Sequence, residues 1–453
     1  MPDSILTGVV KKLSGAVVLK VLGAAITFIS TVLLARTLDK SSYGIFFTCV
    51  SLVTIAAILG RIGLDQIILR AAAAGFKIDE KNVAYTDVIR TAYALVIVSS
   101  VPVTAMTAAC GLLLVAELRD VSAAGFILML LSSPLISLFN VAAFDLRGRD
   151  RAMASIFVQG VLQPLAFLLA ILFVLLWGGI SLPMTFSAYF IACCVATLLG
   201  LSLSLGSHDL AEKGKLPPPQ IARGNYEKRV GSDIAVGLVA ASWPMWIVAA
   251  SQLVNQWGPG LCLAALAGPQ EVATFYTSSR ITLLSHLLLF GITTVVAPMM
   301  AKAHEAGDVS GLKRLYYSTV LLGAVCGGIP LLGIFVFARE VMFIFGPEYA
   351  DGVNSLRILA LGQFVNVSTG SISTLLAMCG RVAVVSRWGL AGAIVAVGGG
   401  LLMAPQFGID GVAWSVSLSL IIQNLGSYVS SRKNFAAETN LGGAINDKLT
   451  CSS

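Results

Sequence analysis

Apolar runs of about 20 residues recur from one end of the sequence to the other, with short polar breaks between them. About 20 residues is what a helix rising 1.5 Å per residue needs to cross a hydrocarbon layer. Backbone groups left unpaired in lipid cost several kcal/mol each, so a chain built this way folds as spanning helices. Twelve spans are expected, at about 13–36, 43–64, 90–115, 121–144, 152–177, 180–205, 234–266, 271–298, 315–338, 353–379, 383–404 and 409–431. The predicted class is all-α and polytopic: a six-helix bundle over 1–205, a polar connector over 206–233, a second six-helix bundle over 234–431 and a tail over 432–453. Pro244 and the stretch Trp257-Gly258-Pro259-Gly260 make the seventh span the expected place for a broken helix.

Charged residues make up 12% of the 453 positions, against about 25% in a soluble domain. No polar segment exceeds about thirty residues, which leaves no room for a soluble catalytic domain. Met1–Lys12 is too short and polar for a cleavable signal, so the first apolar run is expected to be retained. No CxxC, HExxH, GxSxG or Walker-type loop occurs. Neither enzymatic catalysis nor ATP hydrolysis is expected, and no cofactor or metal is called for. Seven of the eight cysteines fall in or beside apolar runs, where they act as small hydrophobes.

The net charge of +7 is explained by topology rather than by nucleic acid. With both termini in the cytoplasm, 23 of the 30 Lys and Arg residues fall on the inner side and 5 on the outer, with Lys20 and Arg280 inside spans. The positive-inside rule is met by a wide margin. The two halves also repeat. A shift of 232 residues carries Gly148-Arg149 onto Gly380-Arg381, Gly160 onto Gly392 and Gly179 onto Gly411. Six spans per repeat give both halves the same orientation about an axis normal to the membrane.

All 23 acidic residues lie in loops or at span ends, so no carboxylate stands at mid-depth to meet the buried cations. A carrier of organic cations would show the reverse; lone intramembrane cations suit an anionic cargo, above all a phosphate or pyrophosphate. Arg280 lies roughly 12–14 Å below the outer end of its span. It must face water, a carboxylate or an anionic ligand, because neither surface is within reach of its side chain. Lys20 shares a helical face with Thr27 and Thr31 and either lines water or reaches the inner headgroups. Arg61, one turn from the cytoplasm, reads as an interfacial arginine opposite Asp65. Gln252, Asn255 and Gln256 form an i, i+3, i+4 patch that suits sugar hydroxyls or contacts between helices. His286 is either a proton-responsive group or a buried neutral imidazole.

Four stretches, in order, resemble the polysaccharide-repeat (O-unit) flippases, a family of the multidrug/oligosaccharidyl-lipid/polysaccharide exporter superfamily. They are Leu33-Leu34-Ala35-Arg36 through Tyr43-Gly44-Ile45-Phe46 and Gly63-Leu64-Asp65; Pro298 with Gly307-Asp308 and Leu312; Phe345-Gly346-Pro347-Glu348-Tyr349 with Leu356, Ile358 and Leu359; and Gly380-Arg381 with Gly408-Ile409-Asp410-Gly411-Val412-Ala413. The resemblance implies a V-shaped, alternating-access transporter in a bacterial inner membrane, carrying an oligosaccharide on polyprenyl pyrophosphate. It implies membrane lipid, a polysaccharide polymerase and chain-length machinery as partners; the charge distribution already speaks against nucleic acid. By helix and depth it carries pyrophosphate binding to Lys20 and Arg280, with Arg61 as a third cation. Thr27, Thr31, Gln252, Asn255, Gln256 and His286 become cavity-lining polar residues. A drug or small-metabolite antiporter of the same superfamily and a non-transporting scaffold for glycan assembly are the competing expectations.

Overall fold

The computed structural model describes the backbone of residues 2–74, 76–78, 81–83, 85–149, 151–212, 231–369 and 372–450. The side chains of 1–14, 73–84, 207–233, 432–453 and a few others, His286 among them, lie outside the description. The helices in order are α1 (Pro2–Thr37), α2 (Lys40–Gly60), α3 (Leu64–Ala74), α4 (Tyr85–Leu114), α5 (Ala123–Gly148), α6 (Ala152–Phe157), α7 (Gln163–Leu176), α8 (Leu182–Glu212), α9 (Gly231–Leu266), α10 (Pro269–Glu305), α11 (Val309–Cys326), α12 (Gly328–Val336), α13 (Ala338–Phe343), α14 (Val353–Ser368), α15 (Ile372–Met378) and α16 (Val382–Thr450). A short antiparallel hairpin, β1 (Phe76–Ile78) with β2 (Lys81–Val83), follows α3. The protein is an all-α polytopic membrane protein. Among the described residues nine helical stretches are long and apolar enough to cross a bilayer. Val382–Ser431, counted as one, is broken at Gly408 (φ 53°, ψ −130°), a left-handed conformation that glycine adopts without steric penalty.

The expected break in the seventh span is absent: α9 runs unbroken from Gly231 to Leu266, through both prolines. Gly260 serves a close approach instead. A Cβ there would lie 2.1 Å from the Tyr276 hydroxyl, so the small residue admits a neighbouring aromatic rather than unwinding the helix. The irregular turns fall elsewhere, in a π-helical segment at Val158–Leu162 and at Gly327 between α11 and α12.

The chain packs as two compact units. The first comprises Met1–Arg280 with Met342–Gly352; the second comprises Ile281–Val341 with Val353–Ser453. In the first unit, Leu64, Ile67, Ile68, Val88, Val96, Val141 and Leu238 bury one apolar core. A second cluster is aromatic: Phe46 stacks on Phe167 at 5.7 Å, Phe47 on Tyr276 at 5.4 Å, and Phe167 meets Tyr189 edge-on at 5.4 Å. Edge-to-face and offset stacks of this kind add about 0.5–1.5 kcal/mol per pair beyond area burial. Asp145, fully buried, accepts from Tyr85 Oη and Ser204 Oγ, both at 2.5 Å, and from Arg149 Nε at 2.8 Å. A buried carboxylate is tolerable only when paired in this way.

In the second unit, Met300, Leu312, Tyr316, Ile372, Leu375 and Val384 form a core. Leu331, Ala360 and Val367 form a smaller one. Backbones come together at small residues: a Cβ on Gly362 would lie 2.7 Å from Ser417 Cα. This is the packing expected of helices that gain nothing from hydrophobic contrast with lipid.

Candidate functional site

The aromatic cluster of the first unit surrounds a charge. Arg280 projects from α10 one turn beyond Tyr276, and its guanidinium carbon lies 5.7 Å from the centre of the Phe47 ring. The phenol groups of Tyr43, Tyr276 and Tyr189 are near enough to act on that charge. An aromatic ring face carries partial negative charge, so the Phe47 ring attracts the cation. Tyr276 is itself fixed by a 2.6 Å hydrogen bond between its hydroxyl and Ser51 Oγ. Tyr43 is fully buried, and its hydroxyl has no hydrogen-bond partner among the described residues. Arg280 is only half-buried. Among the described residues it makes no ion pair and no hydrogen bond, so of the three neighbours expected for it, a carboxylate is excluded there.

The two stretches that carry the family resemblance most distinctly meet beside it. Tyr43 of Tyr43-Gly44-Ile45-Phe46 packs edge-on against Tyr349 of Phe345-Gly346-Pro347-Glu348-Tyr349, their ring centres 5.9 Å apart. Lys40 seals the junction, with Nζ donating to the Glu348 carbonyl at 2.8 Å and pairing with Asp351 at 2.7 Å. Arg36 donates to the carbonyls of Ile344 and Phe343 at 2.7 and 3.2 Å.

Lys20 stands in a separate neighbourhood. Its side chain is exposed, and Arg147 is close enough to oppose its charge. Arg147 Nη2 donates to Gln159 Oε1 at 2.9 Å, and Gln159 Nε2 donates to Asn140 Oδ1 at 3.2 Å. Gln159 lies in the π-helical segment, and the next residue, Gly160, abuts α1: a Cβ on Gly23 would fall 1.9 Å from the Gly160 carbonyl oxygen. That close approach, one turn beyond Lys20, fixes α1 against the segment that carries Gln159. Thr27 and Thr31 donate to their own helix, to Gly23 O at 2.8 Å and Thr27 O at 2.7 Å; Thr31 is buried and Thr27 half-buried.

Arg61 does face Asp65, at 3.9 Å, with side-chain exposures of 11% and 14%, and its Nε is buried without a partner among the described residues. Gln252 and Gln256 are exposed on α9 and Asn255 is half-buried. The side chain of His286 lies outside the described residues. Among the described residues no group of three His, Cys, Asp or Glu side chains is placed to hold a metal ion.

Sequence reasoning singles out neither Arg147, one of the 23 cations counted on the inner side, nor the three tyrosines about Arg280. Tyr276 was legible, since i and i+4 share a helical face. Tyr43 and Tyr189 come from other helices, and no spacing rule reaches them.

A model of the family described as polysaccharide biosynthesis protein matches residues 9–304, and one described as MatE matches residues 259–401. No curated protein matches the chain. Among solved structures, the chain is similar to an inward-facing multidrug resistance MATE family transporter of the MOP superfamily, at TM-score 0.70 and 16% identity over 93% of this chain and 96% of that one. It is similar to an outward-facing structure of a multidrug resistance MATE family transporter at TM-score 0.62 and 17% identity, over 94% and 96%. A MOP superfamily transporter from Pyrococcus furiosus Vc1 (DSM3638), whose description reports reverse polarity of its binding pocket, aligns at TM-score 0.63 and 16% identity, over 94% and 95%.

Proposed function

This chain belongs to the polysaccharide biosynthesis protein family, transporters of the MOP superfamily, and we propose that its cargo is an oligosaccharide repeat linked to polyprenyl pyrophosphate. The protein would move the headgroup across a bacterial inner membrane by alternating access, with both termini cytoplasmic, while the polyprenyl tail stays in lipid. Arg280 and Lys20, with Arg61 as a third cation, supply the positive charge for the pyrophosphate. Thr27, Gln252, Asn255, Gln256 and His286 would meet the sugars and solvent along the path, whereas Thr31, buried and bonded to its own helix, would not. A polymerase and its chain-length machinery would receive the product.

One observation carries this reading: Arg280 is a permanent cation on α10, partly exposed among aromatic side chains and lacking a carboxylate partner among the described residues. A site that holds positive charge ready among aromatic faces favours an anionic headgroup. The MatE match over residues 259–401 supports a second reading, a drug or small-metabolite antiporter. Purified protein in liposomes separates the two. Flipping is scored by the accessibility of a lipid-linked oligosaccharide to an external glycosidase, and antiport by movement of a cationic dye. Glycan flipping without dye movement is the expected result. Dye movement with no flipping would replace the first reading by the second, and neither activity would leave the scaffold reading.

A further inference from the structure

A cavity of about 630 Å³ lies wholly within the second unit, its lining including the polar Asn354, Arg357 and Asp410 beside Phe335, Leu361 and Trp414. That volume is in the range of a small-molecule site, about 300–1,000 Å³. One element ends, one begins and one breaks beside it. Phe335 is in the last turn of α12, Asn354 and Arg357 are in the first turns of α14, and Asp410 follows the break at Gly408. In a membrane protein the ends of spanning helices lie at headgroup depth, where tryptophan is also enriched.

The charges in this cavity are held apart. Arg357 Nε donates to the Phe335 carbonyl at 3.2 Å, and its guanidinium carbon sits 5.8 Å from that ring's centre. Those contacts engage Nε and the guanidinium face, and the terminal nitrogens make no hydrogen bond among the described residues. Asp410 is half-buried and, among the described residues, makes no ion pair and no hydrogen bond, with Arg357 or any other group. The Asn354 amide likewise has no side-chain hydrogen bond among the described residues. An arginine and an aspartate lining one cavity without touching leave a gap for a ligand carrying both signs.

The rim continues onto exposed apolar surface. Leu361 and Phe364 follow one another at i, i+3 on α14, and Trp414 and Leu418 at i, i+4 on α16, all more than 40% exposed. A charged pocket opening onto an apolar helical face matches an amphiphile better than a free sugar, which would leave that face wet.

We propose that this cavity binds a zwitterionic phospholipid whose headgroup carries a primary ammonium. Arg357 would receive the phosphate, Asp410 and Asn354 the ammonium, and the Leu361–Phe364 and Trp414–Leu418 faces the acyl chains. A phosphoethanolamine head offers Asp410 N–H donors. A phosphocholine head has none, and a phosphoglycerol head brings a negative charge with no cation for Asp410. The site is independent of the cargo assigned above.

The test is native mass spectrometry of the purified full chain, equilibrated with equal amounts of ethanolamine, choline and glycerol phospholipids of matched acyl chains. Wild-type protein is expected to retain the ethanolamine lipid about fivefold over the others, the size expected of one partly solvated ion pair. Asp410→Asn keeps the shape and is expected to abolish that preference while still holding phospholipid. Arg357→Gln is expected to lose bound lipid, and Arg357→Lys to recover part of it. Equal retention of all three lipids by the wild type, or an undiminished preference in Asp410→Asn, overturns the proposal. So does displacement of the bound lipid by a soluble oligosaccharide, which would mark the cavity as a sugar site.

Discussion

The Arg280 guanidinium carbon stands 5.7 Å from the centre of the Phe47 ring, with the charge supplied by α10 and the ring by α2. The planar cation both stacks and donates, whereas lysine is a point charge on a flexible stem. Arg280→Gln is expected to lower the initial rate of glycan flipping in liposomes at least about tenfold, and Arg280→Lys several-fold. Full export by a well-expressed Arg280→Gln variant would remove this residue from the mechanism.

Tyr276 is anchored in the aromatic cluster through Ser51. Tyr276→Phe loses the 2.6 Å hydrogen bond but leaves the Ser51 hydroxyl bonded to Phe47 O at 2.7 Å. The expected cost is about 1 kcal/mol. Tyr276→Ala also empties part of the aromatic cluster and is expected to cost about 3–5 kcal/mol. Reversible unfolding of the detergent-solubilised protein measures both.

Gly23 and Gly160 face each other unequally. A Cβ on Gly23 would collide with the Gly160 carbonyl, whereas a Cβ on Gly160 would meet nothing within 4 Å. Gly23→Ala is expected to cost about 1–3 kcal/mol and to weaken transport by lifting Lys20 away from Arg147. Gly160→Ala should change stability by no more than about 0.5 kcal/mol. Equal effects of the two substitutions in thermal unfolding would contradict this packing.

Asp39 caps α2 by accepting from the Ser42 N–H at 2.9 Å. Burial pushes its carboxyl up, but the hydrogen bonds from Ser42, with smaller ones from its own and the Ser41 N–H, outweigh it and hold the group below the ordinary 3.8. A depressed carboxylate stabilises the fold above its unfolded value and loses that contribution as pH falls through the folded one. The melting temperature should therefore drop more steeply below about pH 4 in the wild type than in Asp39→Asn, which caps without titrating. Asp39→Ala should cost about 1 kcal/mol at neutral pH.

Lys40 and Asp351 lie 311 residues apart in sequence and 2.7 Å apart in space. Lys40 is mostly covered and Asp351 is open to solvent, at 15% and 55% exposure. A double-mutant cycle with Ala at both positions is expected to give a coupling of about 0.5–1 kcal/mol, shrinking with added salt.

Spans were legible because lipid imposes one period and one length on every helix that crosses it; the expected 43–64 and 152–177 fall on Lys40–Gly60 and Ala152–Leu176. The irregular turns were not. Proline and glycine in α9 suggested a break, yet glycine there answers to Tyr276, a neighbour that no local pattern names. Conversely, nothing in Val158-Gln159-Gly160-Val161-Leu162 announces a π-helical turn. The Arg61–Asp65 pair was readable from its i, i+4 spacing. The tyrosines about Arg280 and the Asp145 hub depend on which helices become neighbours, and that is decided by packing far apart in the chain.

The first unit draws on both halves of the chain: its helices up to Arg280 are joined by Met342–Gly352, and Lys40, Arg36 and Tyr43 all hold that later segment. A gene fragment that stopped at the connector would encode neither α9, nor Arg280, nor the turn that covers Tyr43. Two separately expressed polypeptides, cut between 213 and 230, would therefore have to find each other before the earlier one could complete its fold. The later polypeptide would in effect carry a missing piece of the earlier one's core.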